Sequence, residues 1–277
     1  MLIRRGLLHL DDGAQAPFVR SPNHGGTLQP RYLIMHYTAG GSAESSISHL
    51  ATKGAGASAH LVVARDGTIT QLVPFDRVAW HAGASRWDGL SGLNSHSIGI
   101  ELDNAGPLDG GPGAWRSWFK RHYPDEEVVV AAHRHGGVER GWHDYTEVQI
   151  DAALNVSKLL FERFRLLDVL GHDDIAPERK QDPGPAFPMQ HFRARLVGRA
   201  EDRPGRFVTS TAVNIREGPG TEYDKLPGSP LAKGTRLSLE VRDASWCYVF
   251  VVGEDGDPTQ TGWVHGDFIR PEAGDGQ

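Results

Sequence analysis

Cysteine is almost missing from these 277 residues: Cys247 stands alone, which excludes an intrachain disulfide framework and any thiolate-rich zinc or iron–sulfur site. Any metal must then be held by histidine and carboxylate. A basic excess is missing as well. Lys and Arg number 29 against 35 Asp and Glu, a formal net charge of −6, so little is available to neutralise a run of phosphates and nucleic acid is not an expected partner. No apolar run approaches the ~18 residues needed to cross a bilayer, so no membrane span is expected. The opening stretch MLIRRGLLHLDDGAQAPF reaches Asp11 before a signal h-region of ~7 to 15 apolar residues could form. The expectation is therefore synthesis in the cytoplasm without a secretory signal, with any route to the outside a non-standard one. What is plentiful is glycine (34), proline (17) and histidine (14), in a chain that is 39% hydrophobic with 7 Trp. That describes a folded protein with many turns, long enough for one medium and one small domain. Imidazole is the usual neutral-pH zinc ligand, so the histidines are the residues to follow.

Along the chain, Arg31 to Tyr37 (RYLIMHY) reads as a buried strand that stops at Thr38-Ala39-Gly40-Gly41. Ser42 to Leu50 reads as a short helix capped by Ser42, with Ile47 and Leu50 on one face. Ala59 to Ala64 and Thr68 to Val73, joined through Asp66-Gly67, have the pattern of a hairpin, and Ser97 to Asp103 that of another strand. From Thr146 to Arg165 apolar residues recur at Val148, Ala152, Leu154, Val156, Leu159, Leu160 and Phe164, which is a helical period. The charged, Pro- and Gly-bearing stretch from Arg199 to Arg206 suggests a domain boundary. Beyond it, Phe207 to Asn214, Thr235 to Arg242, Trp246 to Val252 and Gly262 to Ile269 read as short strands separated by turns. Four or five such strands in a short segment indicate a small β-barrel. Cys247 lies in one of them as a small buried hydrophobe.

Two segments could carry chemistry. His36 ends the first buried strand, and Val169 to Pro188 (VLGHDDIAPERKQDPGPAFP) gathers a histidine, several acids and a lysine. A catalytic zinc needs three protein ligands and an open position, and strand ends hold ligands rigidly. His36 and His172 qualify by position. Asp173, Asp174, Glu178 and Asp182 all remain open as the third ligand, since spacing does not choose among them.

The ordered motifs SPNHGG (Ser21 to Gly26), LIMHYTAG (Leu33 to Gly40), SAHLVVARDGTITQLVP (Ser58 to Pro74), WHAG (Trp80 to Gly83), LNSHSIGIEL (Leu93 to Leu102) and GHDDIAPERKQDPGPAFP (Gly171 to Pro188) resemble the zinc-dependent N-acetylmuramoyl-L-alanine amidases of the type-2 family, over roughly residues 20 to 196. The resemblance implies an α/β domain over residues 1–198, with a central mixed β-sheet flanked by helices. It implies hydrolysis of the amide between N-acetylmuramic acid and the L-alanine of the peptidoglycan stem, with peptidoglycan or muropeptide as the partner. It also implies that His36, His172 and Asp182 hold Zn2+, that Glu101 is the general base and that Lys180 stabilises the oxyanion, which is chemistry those residue types can perform. Asp173 and Asp174 become either structural residues or supports that orient a ligand imidazole. Tyr37 is a second candidate for oxyanion support. His60, His81 and His96 read equally as walls of the site or as hydrogen-bonding core residues. His60, Trp80 and Asn94 are counted with Tyr37 as substrate contacts, because sugars stack on indole and peptide groups need amide partners. The aromatic and Gly-rich stretch Gly106 to Trp142 resembles the family's variable region and is expected to shape specificity, with His133 and His135 structural or at the surface.

The same fold includes peptidoglycan recognition proteins that bind without cleaving, so a non-catalytic receptor is the alternative reading. All three ligand positions are filled here, which favours the enzyme. Residues 206–273, through TSTAVNIREGPG and GWVHGDFI, are similar to bacterial Src-homology-3 domains, which implies a barrel that holds the chain near cell-wall polymer.

Overall fold

The protein is described here from a computed structural model covering residues 1–197, 205–243, 245–253 and 258–272, and its chain divides into two compact units, Met1–Leu196 and Val197–Gln277. Most of the expected boundary at Arg199 to Arg206, namely residues 199–204, lies outside the described residues.

In the first unit, β1 (Tyr32–Tyr37) is buried along almost its whole length, as expected of a central strand covered on both faces. Helix α1 (Ala43–Ala51) follows; the Ser42 hydroxyl accepts from the Ser45 N–H and the Ser45 hydroxyl accepts from the Ser42 N–H, a reciprocal cap at its N-terminus. Leu50 and Ala43 pack with Val62, Leu72 and Val73, which fixes α1 against β2 (Leu61–Val63) and the chain after β3 (Ile69–Gln71). The hairpin is antiparallel with Val62 opposite Thr70, as the Asp-Gly turn predicts. Strand β4 (Ser97–Leu102) runs parallel to both β1 and β2.

After β4 the chain builds a small layer of its own. Strands β5 (Pro107–Leu108), β6 (Val128–Ala131) and β7 (Arg140–His143) pair antiparallel in the order β5-β7-β6. Ala105, Leu108, Trp115 and Tyr123 form a separate apolar cluster with Phe119 and Val128. Helix α2 (Glu147–Phe164) is capped by Thr146, matching the predicted helix, but its inward face is rotated from the predicted one. Val148 is exposed, whereas Gln149 is completely buried and donates through Nε2 to the carbonyls of Val63 and Asp103. A polar side chain thus takes an inward position because it satisfies the carbonyls at the ends of two strands. Strand β8 (Asp168–Gly171), the one-turn helix α3 (His172–Ile175) and α4 (Met189–Val197) complete the unit.

The central sheet has the order β8-β1-β4-β2-β3, with four parallel strands and one antiparallel edge. This is the mixed sheet with helices that the sequence predicts.

The second unit is a five-stranded antiparallel sheet of β9 (Gly205–Thr209), β10 (Arg236–Asp243), β11 (Trp246–Val252), β12 (Pro258–His265) and β13 (Ile269–Pro271), in the order β12-β11-β10-β9-β13. Cys247, Val249 and Val251 alternate inward along β11 and join Ile215, Leu237, Leu239 and Val264 in one core, with the thiol buried as expected. Gly262 is glycine because a Cβ there would stand 2.5 Å from Leu226 and 2.7 Å from Ile215. The predicted strand Phe207 to Asn214 is shorter, ending at Thr209, and Gly262 to Ile269 is broken by a 3-10 turn at Gly266–Phe268. In both places the chain turns while apolar residues such as Val213 still point inward, so hydrophobicity alone overstated the length.

Candidate metal centre and catalytic cleft

Three parallel strands, β8, β1 and β4, end on the same side of the sheet. In open α/β sheets that edge is where ligands bind. Glu101 on β4 lies in register with His36 on β1, so both side chains project from the same face. Gly171 on β8 is in register with Met35, which brings the next residue, His172, to the same edge. Asp182 arrives from the following loop, tied back by the Asp173 N–H donating to the Asp182 carbonyl at 2.9 Å.

These residues form one cluster. His36 Nδ1 is 3.0 Å from His172 Nδ1 and 2.9 Å from Asp182 Oδ2, and His172 Nδ1 is 2.9 Å from the same Oδ2. All three side chains are buried. Asp182 is therefore the acid that geometry selects from the four left open by spacing, and the trio could hold a metal ion.

The donor set fits a cation on protonation grounds. His172 Nε2 lies 3.1 Å from the Ala82 carbonyl, which can only accept; the Arg179 guanidinium is farther, at 3.5 Å, and donates to that same carbonyl at 2.8 Å, so the proton belongs on Nε2 and Nδ1 presents a lone pair. His81 Nε2 lies 3.3 Å from the Ser97 carbonyl and likewise carries its proton there. His81 Nδ1 is then an acceptor and takes the Nε2–H of His36 at 3.0 Å. Burial, followed by the neighbouring His172, pushes His36 down to about 4, so at neutral pH it has a single proton, now assigned to Nε2. Two imidazole lone pairs and a carboxylate oxygen thus converge with no proton among them. The edges of that triangle are close to the ~3.3 Å expected for ligands ~2.0 Å from a tetrahedral zinc.

Glu101 lines the same cavity, about 560 Å³, together with Tyr37, Trp80, His81, Arg179 and Lys180. Its Oε2 is buried and has no hydrogen-bond partner among the described residues. Burial, then the charge of Asp182, pushes the Glu101 carboxyl well above its ordinary value, while Lys180 pulls the other way. A carboxylate so placed is a poised proton acceptor. The Tyr37 phenol is pushed up by burial and by Asp182, so it is neutral and keeps an O–H that can donate.

Other expected residues have different places. His60 is fully buried: its Nε2 donates to the Arg77 carbonyl and its Nδ1 accepts from the Gly99 N–H, so it is a core residue and not a substrate contact. Asn94 does not line the cavity; its Oδ1 accepts the N–H groups of His81 at 2.9 Å and Ala82 at 2.7 Å. Trp80, 39% exposed, does face the cleft. Asp173 and Asp174 follow the structural one of their two expected readings and hydrogen-bond no ligand imidazole. Asp173 accepts from His133 and Arg134, and Asp174 accepts from the Gly171 N–H and pairs with Arg134. His133 is therefore a buried structural residue with an acid partner 40 positions away, which spacing could not reveal. Trp118, expected only as one aromatic of the stretch that shapes specificity, is 66% exposed, donates from Nε1 to the Ala39 carbonyl and lines a second cavity that also reaches Glu101. Its only advance signal was its place in an aromatic, Gly-rich stretch.

The model of the N-acetylmuramoyl-L-alanine amidase family matches residues 26–185, which include every strand of the central sheet and all three clustered ligands. The chain belongs to that family. Among its relatives, the 1,6-anhydro-N-acetylmuramyl-L-alanine amidase AmpD of Enterobacter cloacae is 35% identical over 155 residues, 55% of this chain and 62% of that protein. The N-acetylmuramoyl-L-alanine amidase AmiD of Escherichia coli K12 is 34% identical over 177 residues, 61% of this chain and 54% of that protein. The matches thus span somewhat more than half the length of these curated relatives. A solved complex of AmiD with the substrate anhydro-N-acetylmuramic acid-L-Ala-D-γ-Glu-L-Lys is 30% identical with a TM-score of 0.47, covering 70% of this chain and 67% of that one.

Proposed function

We propose that the protein is a zinc-dependent amidase that hydrolyses the bond between N-acetylmuramic acid and L-alanine in peptidoglycan or its soluble muropeptides. The observation that carries this is the convergence of the His36, His172 and Asp182 donor atoms beside an unpartnered, buried Glu101 oxygen. Zinc held by those three residues supplies Lewis acidity and makes water a usable nucleophile near neutral pH. Glu101 takes the proton from the attacking water and returns it to the departing L-alanine nitrogen, so that water and amide become a carboxylate and a free amine. Its raised proton affinity suits both transfers. The Lys180 ammonium, on the same cavity wall, offsets the negative charge that develops on the former carbonyl oxygen; the Tyr37 O–H is a second donor close by. Trp80 offers an indole face to the sugar, and the family names of AmpD and AmiD point to the same muramoyl–alanine bond.

For residues 206–273 we propose a Src-homology-3-type barrel that holds the chain on wall polymer. The support is the short-stranded antiparallel sheet and the N-I-R-x-G-P-G segment, where Ile215 enters the core and the Arg216 guanidinium ties the turn by donating to the Thr221 and Tyr223 carbonyls.

The test is incubation of the zinc-loaded chain with purified sacculi and with a soluble muramyl peptide, following release of L-alanine-terminated stem peptides by mass. Chelator-sensitive release is expected, and the faster substrate separates wall lysis from recycling. Zinc-replete protein that binds sacculi and releases nothing would make it a receptor instead.

A further inference from the structure

The WHAG and LNSHSIG segments meet at a point that no ligand role explains. The Asn94 side chain accepts from the His81 N–H, neither residue belongs to the ligand trio, and yet between them they fix both ligand imidazoles. We propose that His81 and Asn94 are positioning residues that set zinc affinity by holding the protons of His36 and His172 on Nε2, away from the metal side. This rests on the zinc centre proposed above and concerns what makes that centre ready to bind.

Without a partner on Nε2, His36 would be free to carry its proton on Nδ1. Its Nδ1 lies 2.9 Å from the Asp182 carboxylate, and a proton there would make a charge-assisted hydrogen bond, stronger than a neutral one. Such a latch would have to break before a metal entered. His81 prevents it. Because the Ser97 carbonyl requires a proton on His81 Nε2, His81 Nδ1 must accept, and only the Nε2–H form of His36 can donate to it. The Ala82 carbonyl does the same for His172, at 3.1 Å.

Asn94 unites the two halves. Its one carbonyl oxygen accepts the N–H groups of both His81 and Ala82, the two consecutive residues that supply the two acceptors. A single amide thus pins the dipeptide against both ligands. Gly99 makes room for it: a Cβ there would stand 2.4 Å from His81 Cγ, so the ring rests directly on the β4 backbone. Outer partners of this kind typically change metal affinity by ~10- to 100-fold.

The experiment is zinc competition against a chromophoric chelator on the full chain, with metal-free thermal melts alongside. His81→Ala is expected to weaken zinc binding by ~10- to 100-fold. His81→Asn places an acceptor oxygen where Nδ1 stood and is expected to restore most of that loss, which a mere packing role would not produce. Asn94→Ala is expected to weaken zinc in the same direction, and it decides the matter should His81→Ala fail to fold. His143→Asn, at a buried histidine that accepts from the Ala105 N–H and packs on Tyr123 and is no part of this chain of hydrogen bonds, is expected to leave affinity unchanged. Wild-type affinity in His81→Ala, or equal weakening in His81→Ala and His81→Asn, would overturn the proposal. His36→Ala separates the two levels of inference. If it keeps stoichiometric zinc, the metal centre itself is misplaced; if it loses zinc while His81→Ala binds normally, the centre stands and only the positioning role falls.

Discussion

The first unit contains two clusters of histidine and aspartate that look alike in composition and differ in kind. At the strand ends, Asp182 faces two imidazole nitrogens and no guanidinium makes a hydrogen bond or ion pair with it among the described residues. Behind them, Asp173 meets His133 at 3.0 Å and is neutralised by Arg134, while His135 donates to the Asp173 carbonyl. A cavity of about 580 Å³ opens on this second cluster, as large as the cleft beside the first. Size and residue type therefore do not separate them. Charge balance does: an arginine completes the second, whereas the first has an anionic oxygen and two lone pairs that call for a cation. A metal site is recognised by what is left unpaid for in protons, and a structural cluster by closure.

The largest expected effect breaks the comparison at its root. His36→Ala, His172→Ala or Asp182→Ala should each abolish stoichiometric zinc and amide hydrolysis while the fold persists, as read by metal analysis and stem-peptide release. Asp173→Asn should do the reverse, keeping zinc while lowering stability by about 1–3 kcal/mol, since Arg134 is partly exposed and solvent offsets its lost partner. Zinc loss in Asp173→Asn equal to that in Asp182→Ala would erase the distinction.

Glu101→Gln comes next. Zinc should remain, kcat should fall on the order of 100-fold or more for a lost proton acceptor, and the thermal midpoint of the metal-free protein should rise. The rise follows from the buried, unpartnered Oε2, because removing a charge held at a penalty stabilises the fold. An unchanged kcat moves the base elsewhere. A fall in both kcat and stability would mean that Glu101 is a structural carboxylate.

Much of this was legible in the sequence, for reasons particular residues show. The run around His36 and the Asp-Gly turn at Asp66-Gly67 are local signals, and the structure has a strand and a hairpin there. The family motifs named His36, His172 and Asp182 together, and those three are the residues that converge. What was not legible depends on partners far along the chain. His60 and Asn94 sit in matched motifs yet serve backbone groups, Arg77 and Gly99 for one and His81 and Ala82 for the other. His133 finds its acid 40 residues away. The inward turn of Gln149 escaped because apolar period is a rule about side chains, while its cause is a pair of strand-end carbonyls.

Acid should act on the buried histidines in a direction fixed by their shifts. Burial pushes His60 down to about 4, against an ordinary value of 6.5 that the unfolded chain would show. The unfolded state then binds a proton below pH 6.5 that the folded state refuses until about pH 4, so stability is intact above that window and falls as pH drops through it. The slope from one such group is about 1.4 kcal/mol per pH unit. Melts of the metal-free chain between pH 7 and 4 should show it, and His60→Asn should flatten it. An unaltered slope would assign the acid sensitivity to His36, His81 or His143, which are also held low by burial.

The smallest effect on chemistry is expected from the second unit. Its core is made by Ile215, Leu237, Leu239, Cys247, Val249 and Val264, and ending the chain near Arg203 removes no residue that lines the cleft. Hydrolysis of a soluble muramyl peptide should stay within about twofold, because the reacting groups are untouched. Binding to insoluble sacculi should weaken, and hydrolysis of sacculi with it, since tethering acts through local concentration and only where there is a polymer to hold. The ratio of the two rates is the quantity to compare between full-length and shortened chains. If that ratio does not change, the second unit is a passive appendage; if the soluble rate collapses as well, it supports the cleft in a way its own core does not reveal.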